Sequence, residues 1–217
     1  MSSFRHTLPG LLAAASIALA APAHAANLFV NGSFESPFVS YEALGTGSTT
    51  ITGWTTVLSG VEHFDATGYG GAYDGKMVVD LANYVYLTGG GLEQTVATVT
   101  GQTYDVSFAA GNIAFAGRDG TGIVKVTIDG ASTLSFDTAV ATQSQMAWAL
   151  RSFSFVAAGP STTIRFWNDQ NPFAHFANID GVSVQAAAAP VPEPTSAALL
   201  VAGLVGIGLR ARRTLRS

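Results

Sequence analysis

A strict alternation marks the stretch Thr103-Tyr104-Asp105-Val106-Ser107-Phe108-Ala109. Tyr104, Val106 and Phe108 share one face of an extended chain, and smaller or polar residues share the other. Because successive side chains of a β-strand point to opposite faces of the sheet, this pattern predicts a strand that buries its aromatic face. The stretch 123–128 repeats the pattern, with Val124 and Val126 on the apolar face.

Further strands are predicted along the chain on both sides of this stretch. Asp129-Gly130 follows Ile128 directly and is typical of a hairpin turn, because glycine readily adopts a positive φ. No apolar helical period lasts three turns between residues 26 and 189, and no repeat of 20–50 residues is present. β-branched and aromatic residues between turn residues predict three later strands, at 148–156, 162–167 and 179–184. We therefore predict an all-β sandwich.

The N-terminus has the three parts of a secretory signal. Arg5 and His6 precede an apolar stretch at 8–21, and Ala23 and Ala25 place small residues where a signal peptidase cleaves. The apolar run is too short for a membrane anchor. We predict a signal peptide over residues 1–25 and export of the domain.

The C-terminus is apolar and then basic. Residues 195–209 contain no charged side chain, and the tail at 210–217 carries Arg210, Arg212 and Arg213. A helix of this length reaches roughly 22 Å, short of a hydrocarbon core of about 30 Å. The arginines favour a cytoplasmic end, with the domain outside. We therefore predict that this segment attaches the protein to the inner membrane weakly and transiently.

A short motif precedes that segment. Val191, Pro192, Glu193 and Pro194 stand before the apolar span and the arginines, and this order over residues 191–217 resembles the PEP-CTERM sorting signal of Gram-negative bacteria. The resemblance implies cleavage at the Pro-Glu-Pro motif by an exosortase and transfer to the cell surface or extracellular matrix. An ordinary tail anchor with a proline-containing stalk is the alternative.

The region between the two ends is acidic and lacks cysteine. It comprises a domain at 26–185 and a small-residue linker at 186–190, with thirteen acidic and five basic side chains. That balance disfavours nucleic acid and anionic membranes as partners, and it suits calcium and neutral glycans. The absence of cysteine excludes disulfides and thiolate metal sites.

Several short motifs of the domain occur in a recognisable order. They are Asn31-Gly-Ser-Phe-Glu35, Gly75-Lys-Met-Val-Val-Asp-Leu81, Gly90-Gly-Leu-Glu-Gln-Thr95, Gly101-Gln-Thr-Tyr104, Phe108-Ala-Ala-Gly-Asn112 and Asn178-Ile-Asp-Gly-Val-Ser-Val184. Over residues 27–185 this order resembles the galactose-binding-like jelly rolls, and in particular the choice-of-anchor C group. That group is similar to a plant cell-wall domain of unknown function, number 642. The resemblance implies a jelly-roll β-sandwich, extracellular placement and contact with polysaccharide, without catalysis.

The first and last of these motifs suggest a calcium site. In a jelly roll the first and last strands can lie side by side, which brings Glu35 and Asp180 together. Two such carboxylates repel each other unless a cation joins them, and Ca²⁺ mixes carboxylate and backbone oxygens. Similar carbohydrate-binding jelly rolls hold a structural calcium at this place. We predict Glu35 and Asp180 as ligands, with the backbone oxygens of Ser33 and Lys76 as additions; two solvated turn acids are the alternative.

Sugar binding requires aromatic faces beside hydrogen-bonding groups. The sequence offers three such places, and we favour the last because it is richest in amide and acid groups. They are Tyr69 with Tyr73, Tyr84 with Tyr86, and the cluster of Trp167, Asn168, Asp169, Phe173 and His175. Trp54 and Trp148 are interpreted as core residues.

Catalytic signals are weak. His63 lies between Glu62 and Asp65, but no second histidine at ligand spacing supports a zinc or iron centre, and a structural histidine is the better interpretation. Our leading hypothesis is an exported, calcium-stabilised, carbohydrate-binding module that contacts exopolysaccharide in a biofilm. The alternatives are a purely structural matrix protein, and a glycan hydrolase that uses Glu62 with Asp65 or a similar pair.

Overall fold

The computed structural model describes residues 26–188, which form eleven strands and two short 3₁₀ helices, Ala66–Tyr69 and Tyr84–Tyr86. The strands are β1 (Tyr41–Leu44), β2 (Thr55–Leu58), β3 (Val61–Asp65), β4 (Met77–Asp80), β5 (Gly90–Ala97), β6 (Thr103–Asn112), β7 (Ile123–Ile128), β8 (Thr133–Asp137), β9 (Ala147–Val156), β10 (Ser161–Trp167) and β11 (Asn178–Ala186). The predicted signal peptide and the sorting segment at 191–217 lie outside the described residues. Within residues 26–188, no helix has the length and apolarity to cross a membrane.

The strands pair into two sheets. Sheet A has six strands in the order β1-β3-β4-β11-β6-β9, and sheet B has five in the order β2-β5-β10-β7-β8. All neighbouring strands are antiparallel. The two sheets pack face to face as a jelly-roll-like β-sandwich, which confirms the predicted all-β fold.

The alternation in the sequence decides which side chains enter the core. Tyr104, Val106 and Phe108 of β6 are buried between the sheets, as are Val124 and Val126 of β7. Strand β7 has the predicted bounds, and the hairpin from β7 to β8 turns at the predicted dipeptide, where Asp129 and Gly130 have φ values of 48° and 70°. Both residues are left-handed, as expected for a two-residue turn that matches the strand twist.

Aromatic rings occupy the centre of the sandwich. Trp54 is almost fully buried, and its ring centroid lies 5.0 Å from that of Phe29 and 5.3 Å from that of Phe34. Phe166 of sheet B also contacts Trp54, and its ring centroid lies 5.2 Å from that of Phe108 of sheet A. The prediction that Trp54 belongs to the core is thus confirmed.

The first segment of the domain completes sheet A without forming a strand. Leu28 donates its N–H to the Val184 carbonyl, and Val182 donates its N–H to the Gly32 carbonyl, each at 2.8–2.9 Å. The Asn27 side chain adds bonds to the Val182 carbonyl and the Val184 N–H. The opening and closing parts of the domain therefore do lie side by side, through segment 27–32 and β11. The first regular strand does not take part, because β3 and β4 separate β1 from β11.

The pairing of β4 with β11 joins the two halves of sheet A through very few residue pairs. Only Asn178 with Asp80, and Ile179 with Val79, are paired. The Asp80 side chain extends this connection, because its Oδ1 accepts the N–H of Ala82 and the N–H of Ala177, both at 3.0 Å. A single carboxylate oxygen thus links the end of β4 to the start of β11.

Asp80 is 1% exposed, and this burial raises its pKa from 3.8 to about 7. The neighbouring Glu62 carboxylate raises the pKa further, whereas the two backbone N–H donors lower it. The folded protein therefore binds the Asp80 proton more tightly than the unfolded chain. The stabilisation from this proton is complete below about pH 4 and is lost as the pH rises through about 7.

We predict that Asp80→Asn removes this pH dependence while keeping an oxygen for the two N–H donors. Between pH 4 and pH 8 the wild type should lose up to roughly 4 kcal/mol of unfolding free energy relative to this variant. Asp80→Ala, which leaves both N–H groups without their acceptor, should cost about 2–4 kcal/mol at pH 5. Urea unfolding of the three proteins across this pH range measures both effects. Parallel pH profiles for the wild type and Asp80→Asn would contradict the assignment.

Candidate functional site

One row of side chains crosses the outer face of sheet A, the face directed away from the core. Paired residues on neighbouring strands form this row, in the order Glu62, Asp80, Asn178, Gly111 and Trp148. Side chains directly opposite each other on antiparallel strands lie about 4.5–5.5 Å apart at Cβ. The row therefore brings two carboxylates and an amide together on one surface, although their positions are widely separated in the sequence.

A cleft of about 280 Å³ opens over the first three members of the row. Its polar floor is formed by Glu62, Asp80 and Asn178. Its walls are mainly aromatic, with the rings of Tyr41, Phe64, Tyr69, Tyr84, Phe115 and Phe176, and Ser40, Ile113, Arg118 and Met146 complete them. Flat apolar rings around a polar floor match the surface of a sugar, which presents both C–H patches and hydroxyl groups.

The floor holds hydrogen-bonding atoms that have no partner. Asn178 is 1% exposed, and neither its Nδ2 nor its Oδ1 forms a hydrogen bond. Asp80 uses Oδ1 for the two backbone donors, but its Oδ2 is also unpaired. An unsatisfied buried polar atom destabilises a fold by about 1–3 kcal/mol, and the three atoms of Asp80 and Asn178 leave hydrogen-bonding capacity for a bound polar group at this cleft.

Glu62 is 8% exposed and connects the floor to the wall. Its Oε1 accepts the N–H of Val85 at 3.1 Å, which holds the short helix at 84–86 beside the cleft. Burial, followed by the Glu62 charge and a hydrogen bond to Glu62, raises the pKa of Tyr41 to about 12. The phenol of Tyr41 is therefore neutral at physiological pH.

Arg118 lies at the other side of the cleft between two rings. Its guanidinium carbon is 4.8 Å from the centroid of Tyr84 and 4.4 Å from that of Phe176. Its Nε donates to the Pro172 carbonyl at 3.0 Å. Arg118 thus braces an aromatic wall, and its influence on Asp80 is smaller than that of Glu62.

The structure brings two of the predicted sugar-binding tyrosines into this cleft. Tyr69 and Tyr84 line it, and Phe173 packs edge-on against Tyr84 with ring centroids 5.2 Å apart. Tyr73 lies outside the cleft beside Trp148, with the two ring centroids 6.4 Å apart. Tyr86 lies near Gly45. The pairing of Tyr69 with Tyr73, and of Tyr84 with Tyr86, is thus divided between the cleft and other surfaces.

The remainder of the favoured cluster lies away from the cleft. Trp167 is on sheet B, where its Nε1 donates to Thr127 and Lys125 lies 4.8 Å over its ring. Asp169 forms an ion pair with Lys125 at 2.6 Å. Asn168 is buried, and its amide donates to the Ile123 carbonyl, which holds the loop after β10. The role of these residues in binding stays a prediction.

His175 is also separate from the cleft and faces a loop. Its Nδ1 lies 3.2 Å from Asp119 and 3.1 Å from the Thr121 carbonyl. This arrangement serves the packing of the loop that precedes β7. It places no group in the cleft, and a binding role for His175 likewise stays a prediction.

The interpretation of Trp148 as a core residue is wrong. Its indole lies on the outer face of sheet A over Gly111, where a Cβ would overlap the ring. Its Nε1 donates to the Gly71 carbonyl at 3.2 Å. The absence of a side chain at Gly111 makes room for the tryptophan outside the core, where it ends the polar row.

The predicted calcium ligands both bind one loop, residues 73–77. Glu35 Oε1 accepts the N–H groups of Lys76 and Met77 at 2.8 and 2.7 Å. Asp180 Oδ2 accepts the N–H of Asp74 at 2.8 Å, and burial raises the pKa of Asp180 to about 7. Among residues 26–188, no three histidine, aspartate or glutamate side chains gather into a metal-binding group.

The structure separates the sequence-based acid–base set. Glu62 faces the cleft, whereas Asp65 lies three residues further along β3 and binds the N–H of Thr67. His63 points into the core, where its Nε2 lies 2.9 Å from the Phe34 carbonyl and burial lowers its pKa. The interpretation of His63 as structural agrees with this position, and the acid beside Glu62 is Asp80.

Sequence reasoning missed most of the cleft. Asp80, Asn178, Tyr41 and Arg118 were not predicted as site residues. Asp80 and Asn178 were present in the quoted motifs, where each stands at the end of an apolar strand segment. A polar residue in such a position is a detectable signal, but only the register of β4 with β11 shows that the two side chains meet.

Comparison with solved structures finds similar sandwiches among carbohydrate-binding modules. TmCBM61, solved in complex with β-1,4-galactotriose, is 18% identical, with a TM-score of 0.45 over 75% of this chain and 99% of that chain. A family 35 module from Clostridium thermocellum is 16% identical, with a TM-score of 0.42 over 69% and 100% of the two chains. The CBM22-1 xylan-binding domain from Paenibacillus barcinonensis is 15% identical, with a TM-score of 0.42 over 69% and 94%.

Comparison with sequence families identifies a family for this chain. No curated protein matches the chain. Residues 27–185 match the family model described as protein of unknown function DUF642. The match spans every strand of the sandwich but for the last residue of β11. The chain therefore belongs to the DUF642 family.

Proposed function

We propose that the protein is an exported, non-catalytic carbohydrate-binding protein whose ligand occupies the cleft on sheet A. The observation that carries this proposal is the set of unpaired atoms on the cleft floor, Asp80 Oδ2 and both polar atoms of Asn178. A hydroxyl group both donates and accepts, so a sugar satisfies an adjacent carboxylate and amide at once.

The aromatic walls support the same class of ligand. Tyr69 and Tyr84 are each more than a third exposed, and both line the cleft. Aromatic side chains contribute binding energy through the apolar faces of sugar rings, while the buried polar groups set orientation. In this proposal the aromatic walls contribute affinity for the sugar, and the polar floor contributes specificity.

The location of the protein follows from its termini. The signal at 1–25 directs cleavage by signal peptidase, and the segment at 191–217 directs transient attachment to the inner membrane and processing by an exosortase. The mature domain then reaches the cell surface or the extracellular matrix of a Gram-negative bacterium, where exopolysaccharide is the partner. The basis for this part of the proposal is the order of motifs in the sequence.

Calcium is proposed as a structural ion near the loop at 73–77. Ser33, Asp74 and Gly181 line an open polar pocket beside the buried Asp180 carboxylate, and oxygen donors of this kind suit Ca²⁺. Glu35 binds the other end of the same loop through one oxygen. Backbone carbonyls at Ser33 and Lys76 complete the proposed ligand set, and the ion would offset the burial of Asp180.

The glycan proposal is tested by two aromatic substitutions on opposite faces. Tyr84→Ala, in the cleft wall, should reduce affinity about tenfold or more, because the ring packs against the sugar. Trp167→Ala, on sheet B, is the matched control and should leave affinity within about twofold if the cleft alone is used. Affinity electrophoresis of the purified protein across a polysaccharide panel measures both.

Each outcome of that experiment distinguishes among the hypotheses. Loss of binding in Trp167→Ala with retention in Tyr84→Ala would move the site to sheet B. Absence of retardation by every polysaccharide would contradict glycan binding and favour a purely structural matrix protein. Release of soluble sugar products by the wild type, lost in Glu62→Gln, would favour a hydrolase.

The calcium proposal is tested with substitutions that preserve hydrogen bonding. We predict that a chelator lowers the melting temperature of calcium-loaded protein, and that Glu35→Gln and Asp180→Asn abolish this shift. Glutamine and asparagine retain an oxygen for the backbone donors at Lys76, Met77 and Asp74, so a purely structural role would leave both variants responding like the wild type. An unchanged melting temperature of loaded wild type after chelation would contradict the site.

The sorting proposal is tested by mass spectrometry of the protein from its own cells. We predict a mature N-terminus at Ala26 and loss of the segment from the Pro-Glu-Pro motif onward. Replacing Pro192, Glu193 and Pro194 with alanine should leave the C-terminal segment attached, because the cleavage motif is then missing. An intact C-terminus in the wild type would favour an ordinary tail anchor.

A further inference from the structure

We propose that the cleft selects a glycan that carries a free amino group, an amino sugar in its ammonium form. This inference rests on the proposed function and names the ligand class of the same cleft. Its basis is the excess of acceptor atoms and negative charge over donors on the cleft floor.

The first argument is the inventory of unpaired atoms. Asp80 Oδ2 and Asn178 Oδ1 are acceptors without a donor, and Asn178 Nδ2 is a donor without an acceptor. Glu62 contributes a second carboxylate from the strand next to Asp80. An ammonium group has three N–H donors and no acceptor, so it suits this group of oxygens, while a neighbouring hydroxyl of the same sugar accepts from Asn178.

The second argument is the lack of a compensating cation at the floor. Glu62 and Asp80 face each other across paired strands, and the Glu62 charge disfavours ionisation of Asp80. In the part of the chain that the structure describes, the ion pairs join other residues: Lys125 with Asp169, Arg165 with Glu93, and His175 with Asp119. A ligand cation would therefore meet two carboxylates that no protein cation has paired.

Arg118 is the basic residue among those that line the cleft, and its position limits its effect on the floor. Its guanidinium lies between the rings of Tyr84 and Phe176 and is bonded to the Pro172 carbonyl. Of the charges that act on Asp80, Glu62 has the larger influence and Arg118 the smaller. The acidic character of the floor therefore persists beside this arginine.

The walls suit the remainder of such a ligand. Tyr69 and Phe115 lie edge-to-face with centroids 5.8 Å apart, and Phe64 contacts Tyr69 at 5.7 Å. Aromatic faces attract cations as well as the C–H faces of sugars. A uronic acid would place a carboxylate against Glu62 and Asp80, and a neutral sugar would leave their charge without a counterion, so both are disfavoured relative to an amino sugar.

The titratable groups around the ligand give the proposal a second readout. The cleft is lined by Tyr41, Glu62, Tyr69, Asp80, Tyr84 and Arg118. Because the pKa of Asp80 is about 7, this carboxyl group is partly protonated at neutral pH. A bound ammonium stabilises the carboxylate form, so binding at pH 7 should release part of a proton from Asp80. The difference in proton exchange between the wild type and Asp80→Asn isolates this release from any proton that the ligand amine takes up.

The test is isothermal titration calorimetry of the purified protein with two trisaccharides of equal length. One is β-1,4-linked glucosamine and the other its N-acetylated counterpart, in which the charge is removed. We expect the amino form to bind about tenfold or more tightly, with proton release detected from the difference between buffers of high and low ionisation enthalpy. Glu62→Gln and Asp80→Asn, which conserve shape, should remove the preference; Asp137→Asn on sheet B, with the same change in charge, should retain it.

The outcomes separate this inference from the function on which it rests. Equal or tighter binding of the N-acetylated form, or a preference that survives in both cleft variants, would overturn the selection of amino sugars but leave glycan binding standing. Binding of a neutral glycan from the polysaccharide panel without binding of the glucosamine trisaccharide would do the same. Failure of every glycan to bind would overturn the proposed function itself.

Discussion

The carboxylate of Asp80 is the interaction on which both the sheet and the cleft depend. Its Oδ1 accepts the N–H groups of Ala82 and Ala177, where only two residue pairs join β4 to β11. Its Oδ2 has no hydrogen-bond partner, and Asp80 lines the cleft. The same side chain thus connects the two halves of sheet A and presents an acceptor beside Asn178. A residue that holds the fold through one oxygen keeps its other oxygen fixed in position, which is the kind of rigidity that preorganises a site.

The burial of Asp80 destabilises the folded state. A carboxyl group that is 1% exposed loses its hydration, and the rise of its pKa to about 7 expresses that loss. The large aromatic core, centred on Trp54 and Phe166, provides the compensating apolar burial. Sites that bind ligands commonly retain such locally unfavourable groups, because their partners are supplied by the ligand and not by the protein. The neighbouring Asn178, with no bond of its own, fits the same explanation.

The sequence predicted local features well because their causes are local. Alternation gave β6 and β7 with their buried faces, and Asp129-Gly130 gave the hairpin, since both depend on residues adjacent in the chain. The cleft depends on strand order and register, which bring positions 62, 80 and 178 together, and no short window contains them. Trp148 was misassigned for a related reason: whether it faces the core depends on Gly111, a residue 37 positions earlier that pairs with it across the sheet.

The distribution of charge distinguishes the two faces of the sandwich. On sheet B, Glu93 is paired with Arg165 and Asp169 with Lys125 in contacts that are partly open to solvent. On sheet A, Glu62 and Asp80 are more deeply buried, yet neither belongs to an ion pair among the described residues. Exposed pairs contribute little to stability, whereas buried unpaired acids destabilise appreciably. A ligand that relieves the buried acids therefore gains binding free energy that sheet B cannot offer, and by linkage it also stabilises the folded domain.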